Sequence, residues 1–177
     1  MIFSSPFQRR IVALPLAALA LATAQPASAA TLPRLEADSL GGSHVVLPTV
    51  SAGKPLVLLL AFTKESEADL KSWSRKLLAD RVAQNAAVYV VVVADKAAFF
   101  TRGHIRKVVE GSAVGSQAQI NSNVLITFNG SGWRELVPPG DKKTAGIVVC
   151  DASGTIVYAK RAPYNDGNLA DVEKAAK

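Results

Sequence analysis

Apolar positions in this chain fall into short unbroken runs separated by turn residues, with one helical stripe between the first two of these runs. Leu56 to Phe62 (LVLLLAF) and Ala87 to Ala94 (AVYVVVVA) are continuous and of strand length, which predicts strands buried on both faces of a sheet. Between them Leu70, Trp73, Leu77 and Leu78 recur at helical spacing and predict a helix over Lys64 to Asp80. Thr63 or Ser66 is available to cap it. Glu65, Glu67 and Asp69 put negative charge in its first turn, where the helix dipole favours acids. Strand, helix and strand in that order make a parallel crossover unit, and a sheet built from such units carries helices on its faces.

Farther along, the pattern predicts a second helix over Lys96 to Val109, a turn region from Gly111 to Gly115, and a third buried strand (VLITF) ending at Phe128. Asn129 to Gly132 reads as a loop, and Trp133 to Pro139 leads through Gly140 towards a strand over Gly146 to Cys150. Asp151 to Gly154 then separates IVVC from TIVYAKR, a strong signal for an antiparallel hairpin. Leu169 to Lys177 reads as a closing helix. Ahead of the first buried strand, Gly41 and Gly42 break a polar segment from the alternating His44-Val45-Val46-Leu47, which predicts a short hairpin at the domain entrance.

Residues 1–30 stand apart from this pattern. Arg9 and Arg10 precede the apolar run IVALPLAALALATA and the small residues Ala27-Ser28-Ala29-Ala30, the layout of a cleaved export signal. The run contains Pro15 and falls short of the ~20 apolar residues of a membrane span, so cleavage near Ala29 or Ala30 is the expectation. An uncleaved segment would be the only membrane attachment. Residues 31–177 are then expected to form one domain in the periplasm or outside the cell, with no second span. Outside the signal the charge is mildly basic and scattered, and only 6% of residues are aromatic, which argues against nucleic-acid binding. Cys150 is the only cysteine, so no intramolecular disulfide can form.

Two segments carry a resemblance. LEADSLGGSHVVLPTVSAGKPLVLLLAF resembles the entry to the periplasmic thioredoxin-like reductases and peroxiredoxins, and IVVCDASGTIVYAKRA resembles their last hairpin. The resemblance implies an α/β thioredoxin-like fold over residues 35 to 177, with a central mixed sheet flanked by helices and an N-terminal hairpin extension. Aligned without gaps from Gly53-Lys54, the redox cysteines of the reductases would fall on Glu65 and Ala68. The peroxiredoxin pattern would match its hydroxyl to Ser66 and its reactive cysteine to Asp69. The cis-proline of these families aligns with Ala145, where a cis bond would cost ~3 kcal/mol, so a trans peptide is expected. Thiol exchange needs a thiolate at a helix start, and carboxylates cannot supply one. Glu65 and Asp69 therefore read as favourable first-turn acids.

The chain also resembles thioredoxin-like ATP synthase assembly factors, through the AFTK strand end, the Ser-Trp pair in the first helix and the degenerate cysteine site. That likeness implies a contact surface for a protein or peptide at Phe62, Thr63, Lys64, Glu65, Ser66 and Trp73, together with Lys143, Thr144 and Ala145. Trp73 lies on the core stripe and is expected to be packed. Trp133, in a Gly-rich stretch beside Arg134, is expected to be exposed, either as an interface contact or as a local plug.

Other chemistry is poorly represented. Cys150 ends an apolar run and reads as a small buried hydrophobe; its rival role is a redox thiol. His44 and His104 are far apart with no ligand spacing, so no metal is expected. No serine-hydrolase elbow or phosphate loop occurs, and no cofactor is implied. Three functions stay open: a binding or assembly-assisting module without redox chemistry, a peroxiredoxin-like or disulfide-handling enzyme acting through Cys150, and a purely structural envelope protein.

Overall fold

A computed structural model describes residues 30–177 except 52, 80–81, 95–102, 104–106 and 108–116. Apart from Gly103 and Lys107, the second helix anticipated over Lys96 to Val109 lies outside the described residues, as do the Gly111 to Gly115 turn and His104. Strands β1 (Leu35–Ser39) and β2 (His44–Leu47) form the entrance hairpin, and β3 (Leu56–Ala61) is the first buried strand. Helices α1 (Glu67–Ala79) and α2 (Val82–Asn85) lead to β4 (Ala87–Val93), and α3 (Gln117–Asn123) leads to β5 (Val124–Thr127). A short helix α4 (Ser131–Glu135) precedes β6 (Gly146–Cys150) and β7 (Ile156–Arg161), and α5 (Asp166–Ala175) closes the chain.

The seven strands make one sheet in the order β2-β1-β5-β4-β3-β6-β7. β3, β4 and β5 run parallel, as the crossover pattern requires, while β1 and β6 flank them antiparallel. All six residues of β3 are buried, because β3 has a neighbour on each side and packed layers above and below. Alternation divides those residues between two cores. Val57, Leu59 and Ala61 meet Trp73 and Leu77 of α1 and Val172 of α5. Leu58, Leu60 and Phe62 meet Trp133, Leu136, Val137, Val148 and Cys150 on the other face.

The two hairpins close by different local chemistry. Between β1 and β2, Ser39 accepts from the Gly42 amide, and Gly42 takes a φ of 91°, a left-handed value that a side chain would resist. Between β6 and β7, the Asp151 carboxylate accepts from the amides of Ser153 and Thr155 and from the Ser153 hydroxyl, at 2.9, 3.0 and 2.6 Å. Those donors hold the Asp151 carboxyl below its usual range, the Ser153 hydroxyl contributing most.

Several boundaries differ from the sequence expectation: the helix expected over Lys64 to Asp80 is α1, preceded by a 3-10 turn over Lys64–Ser66, and β3 and β4 each end one residue early. The strand expected to reach Phe128 stops at Thr127, and Phe128 is exposed. The 129–132 stretch expected as loop enters α4, which turns Trp133 inward to 1% exposure, so Trp133 is a core residue and not an exposed contact. Its neighbour Gly132 admits this packing, since a Cβ there would come within 3.0 Å of Leu35. The last helix begins three residues early because the Asn165 side chain accepts from the Asn168 amide as an N-cap. Among the described residues no helix is long and apolar enough to cross a membrane.

Trp73 anchors α1 with no exposure; its indole Nε1–H donates to the Ala162 carbonyl at 3.1 Å, and Tyr164 packs edge-on at 5.5 Å between ring centroids. Trp73→Phe removes the donor and leaves that carbonyl unpaired in a buried place. It is expected to lower unfolding free energy by about 1–3 kcal/mol, measured by urea denaturation.

Candidate functional site

The carboxyl end of β3 feeds the start of α1 through a single turn. Thr63 is extended, residues Lys64–Ser66 form a 3-10 turn, and the Ser66 hydroxyl donates back to the Thr63 carbonyl at 2.8 Å. The loop before β6 lies against this turn: the Thr63 hydroxyl donates to the Lys142 carbonyl at 2.6 Å. Asp141 folds that loop on itself, its side chain accepting from the Lys143 amide at 2.9 Å and its carbonyl from the Thr144 amide at 3.1 Å and hydroxyl at 2.9 Å. The chain therefore brings Thr63 to Ser66 and Lys143 to Ala145 into one edge.

Asp69 is the residue that joins them. One carboxylate oxygen accepts from the Ala145 amide at 2.8 Å and the other from the Tyr164 amide at 2.7 Å. Asp69 is the first-turn acid that the sequence predicts, but its side chain reaches across the helix start to two distant loops. No local signal marks this, because both donors are backbone groups 76 and 95 residues away.

The residues expected to form a contact surface divide by exposure. Lys64, Glu65 and Lys143 are exposed and Thr63 and Thr144 partly so, whereas Phe62, Ser66, Trp73 and Ala145 are buried. Glu65 is held below the usual carboxylate range, first by its own backbone N–H, next by the Thr63 side chain, and then by the charges of Lys142 and Lys64. The bond before Ala145 is trans; the cis peptide bond among the described residues is Leu47–Pro48. Phe62 points to the face opposite α1, where Arg161 and Arg134 stack on its ring.

Cys150 lies elsewhere. Its partner on β3 is Leu56, at the beginning of that strand, so Cys150 is about 13 Å along β6 from the edge at Gly146. Its side chain belongs to the core on the face away from α1. Burial, assisted by the charge of Asp151, pushes the thiol up to about 11. Among the described residues no group of three or more His, Cys, Asp or Glu is placed to hold a metal ion.

No protein-family model matches the sequence, and no curated protein does. Solved structures do match. A thiol:disulfide interchange protein of the thioredoxin family from Chlorobium tepidum superposes with a TM-score of 0.62 at 11% identity, over 86% of this chain and 100% of that one. The fold is thioredoxin-like. The exposed lipoprotein thioredoxin of Streptococcus pneumoniae gives 0.58 at 14% identity, over 80% of this chain and 99% of its own. A secreted disulfide oxidoreductase of Mycobacterium tuberculosis gives 0.53 at 21%, over 80% and 95%. At these identities the likeness concerns backbone architecture, which is the mixed sheet with flanking helices that the sequence resemblance implied.

Two outcomes follow from the site. Asp69→Ala strips two amides of a charged acceptor and is expected to cost about 3 kcal/mol in urea unfolding, with Asp69→Asn, which keeps one acceptor oxygen, losing about half as much. Cys150 supplies the pH dependence. Its folded pKa lies above its unfolded value near 9, so below pH 9 both states hold the proton and the group has no effect on stability. As pH rises from 9 towards 11 the unfolded chain ionises first, so stability falls; Cys150→Ala should show a shallower fall over that window in thermal melts.

Proposed function

We propose that the protein is a thioredoxin-like binding or assembly-assisting module outside the cytoplasm, without thiol redox activity. The observation that carries this reading is the Asp69 clasp. Where a redox thioredoxin fold needs a free thiolate at the helix start, this chain has a carboxylate already committed to the Ala145 and Tyr164 amides. The position of Cys150 supports it further, since a buried thiol with a raised pKa is neither ionised nor within reach of a substrate. The proposed contact surface is the exposed part of the same edge: Lys64, Glu65 and Lys143, with Thr63 and Thr144 between them. Extracytoplasmic placement rests on the export-signal pattern of residues 1–30.

The chemical half is tested with the protein purified from the full chain, in insulin-disulfide reduction and hydrogen-peroxide consumption. Background rates are expected in both, identical in Cys150→Ala. Turnover that disappears in Cys150→Ala would establish the thiol enzyme instead. The binding half is tested with a photo-crosslinking residue at Lys64, Glu65 or Lys143 and a control at exposed Val157. A discrete protein adduct at the first three positions and none at Val157 is expected; adducts at no position, or equally at all, would refute this surface.

A further inference from the structure

On the sheet face opposite α1, a groove of about 610 Å³ runs between residues 134–139 and Arg161, within the size range of about 300–1,000 Å³ typical of ligand sites. Arg161 ends β7 opposite Gly146, and its guanidinium carbon lies 4.4 Å from the centroid of the Phe62 ring. The Arg134 guanidinium carbon lies 5.3 Å from the same centroid. Two cations thus share one aromatic ring at the groove wall.

The backbone leaves room for this arrangement at two glycines. A Cβ on Gly140 would come within 3.0 Å of Arg161 Cδ and 3.1 Å of its Cβ, so the arginine stem occupies the space a side chain there would need. A Cβ on Gly146 would come within 3.2 Å of the Phe62 ring and 3.1 Å of Val137. Arg161 is therefore held by packing along its length while its charge goes unmatched. Its Nε is buried with no hydrogen-bond partner, and among the described residues no carboxylate comes within ion-pair distance of it, although Glu135 borders the same groove. Burial first, and the charge of Arg134 second, press the Arg161 guanidinium below its usual pKa. An approaching anion would relieve both costs.

We propose that this groove binds an acidic peptide segment of a partner protein, with Arg161 taking a side-chain carboxylate and the peptide lying along the exposed Pro138 and Pro139. The guanidinium fork matches a carboxylate's two oxygens, and the exposed proline wall suits the apolar parts of a peptide rather than a bare inorganic anion. The site is separate from the edge at Lys64 and Lys143 and stands whether or not that edge holds a partner.

The test is an NMR titration of the purified full-chain protein with an acetylated, amidated Glu-Ala-Glu-Ala-Glu peptide, following the Arg161 Nε–H signal. A saturable shift of that signal is expected. Affinity should fall about tenfold or more in Arg161→Gln, and likewise when the peptide carries Gln for Glu, because a charge-assisted pair is lost. Arg161→Lys, which keeps the charge without the fork, should bind between the two. Phe62→Leu should lose about threefold through the missing ring. Amide spectra check that each variant is folded. Equal binding by the Gln peptide, undiminished binding by Arg161→Gln and Arg161→Lys, no binding at all, or the same shift produced by inorganic phosphate alone would overturn the proposal.

Discussion

The Asp69 carboxylate is the polar constraint on which the end of this fold at the start of α1 depends. Three segments distant in sequence meet there: the first turn of α1, the loop before β6 and the stretch after β7. Each needs its backbone amides paired as the chain leaves regular structure, because an unpaired amide in a half-buried place costs about 1–3 kcal/mol. One side chain with two acceptor oxygens serves two of them at once. The indole of Trp73, one turn farther along α1, pairs the Ala162 carbonyl in the same region, so α1 is stitched to the end of β7 by a polar contact on either side.

That stitching bears on chemistry. A thiolate at a helix start is reactive because the free N–H groups and the dipole stabilise its charge while its front stays open. Here the anion at the corresponding helix is a carboxylate, and its front is closed by the two amides it accepts from. The one thiol in the protein, Cys150, is placed by strand alternation in the core on the far side of the sheet, at the other end of β6.

The sequence made the sheet legible because its strands are buried on both faces: LVLLLAF and AVYVVVVA admit few alternatives, and the Asp-Ala-Ser-Gly turn between IVVC and TIVYAKR admits only a tight hairpin. Short helical pieces were harder to see. Gly130, Ser131 and Gly132 look like loop residues, yet Gly132 is there to let α4 approach Leu35, and that approach buries Trp133. Local composition registers the glycines and not the contact they permit. The same holds for Asp69, whose first-turn position was readable while its two amide partners were not. Arg161 was hidden for a related reason: at the end of an alternating strand it looks like an ordinary exposed cation. Only the register that sets it opposite Gly146 brings it over Phe62.

Phe62 and Thr63 explain how one end of the sheet comes to offer two surfaces. Successive residues leaving a strand project to opposite sides, so Phe62 turns into the core away from α1 while Thr63 turns to the loop holding Lys142. β6 does the same in reverse: Gly146 leaves space for the Phe62 ring, and Ala145, one residue earlier, gives its amide to Asp69. The arginine groove and the clasped edge are therefore built back to back from the same two strand ends. A shift of one residue in the β3–β6 register would exchange their faces and abolish both together.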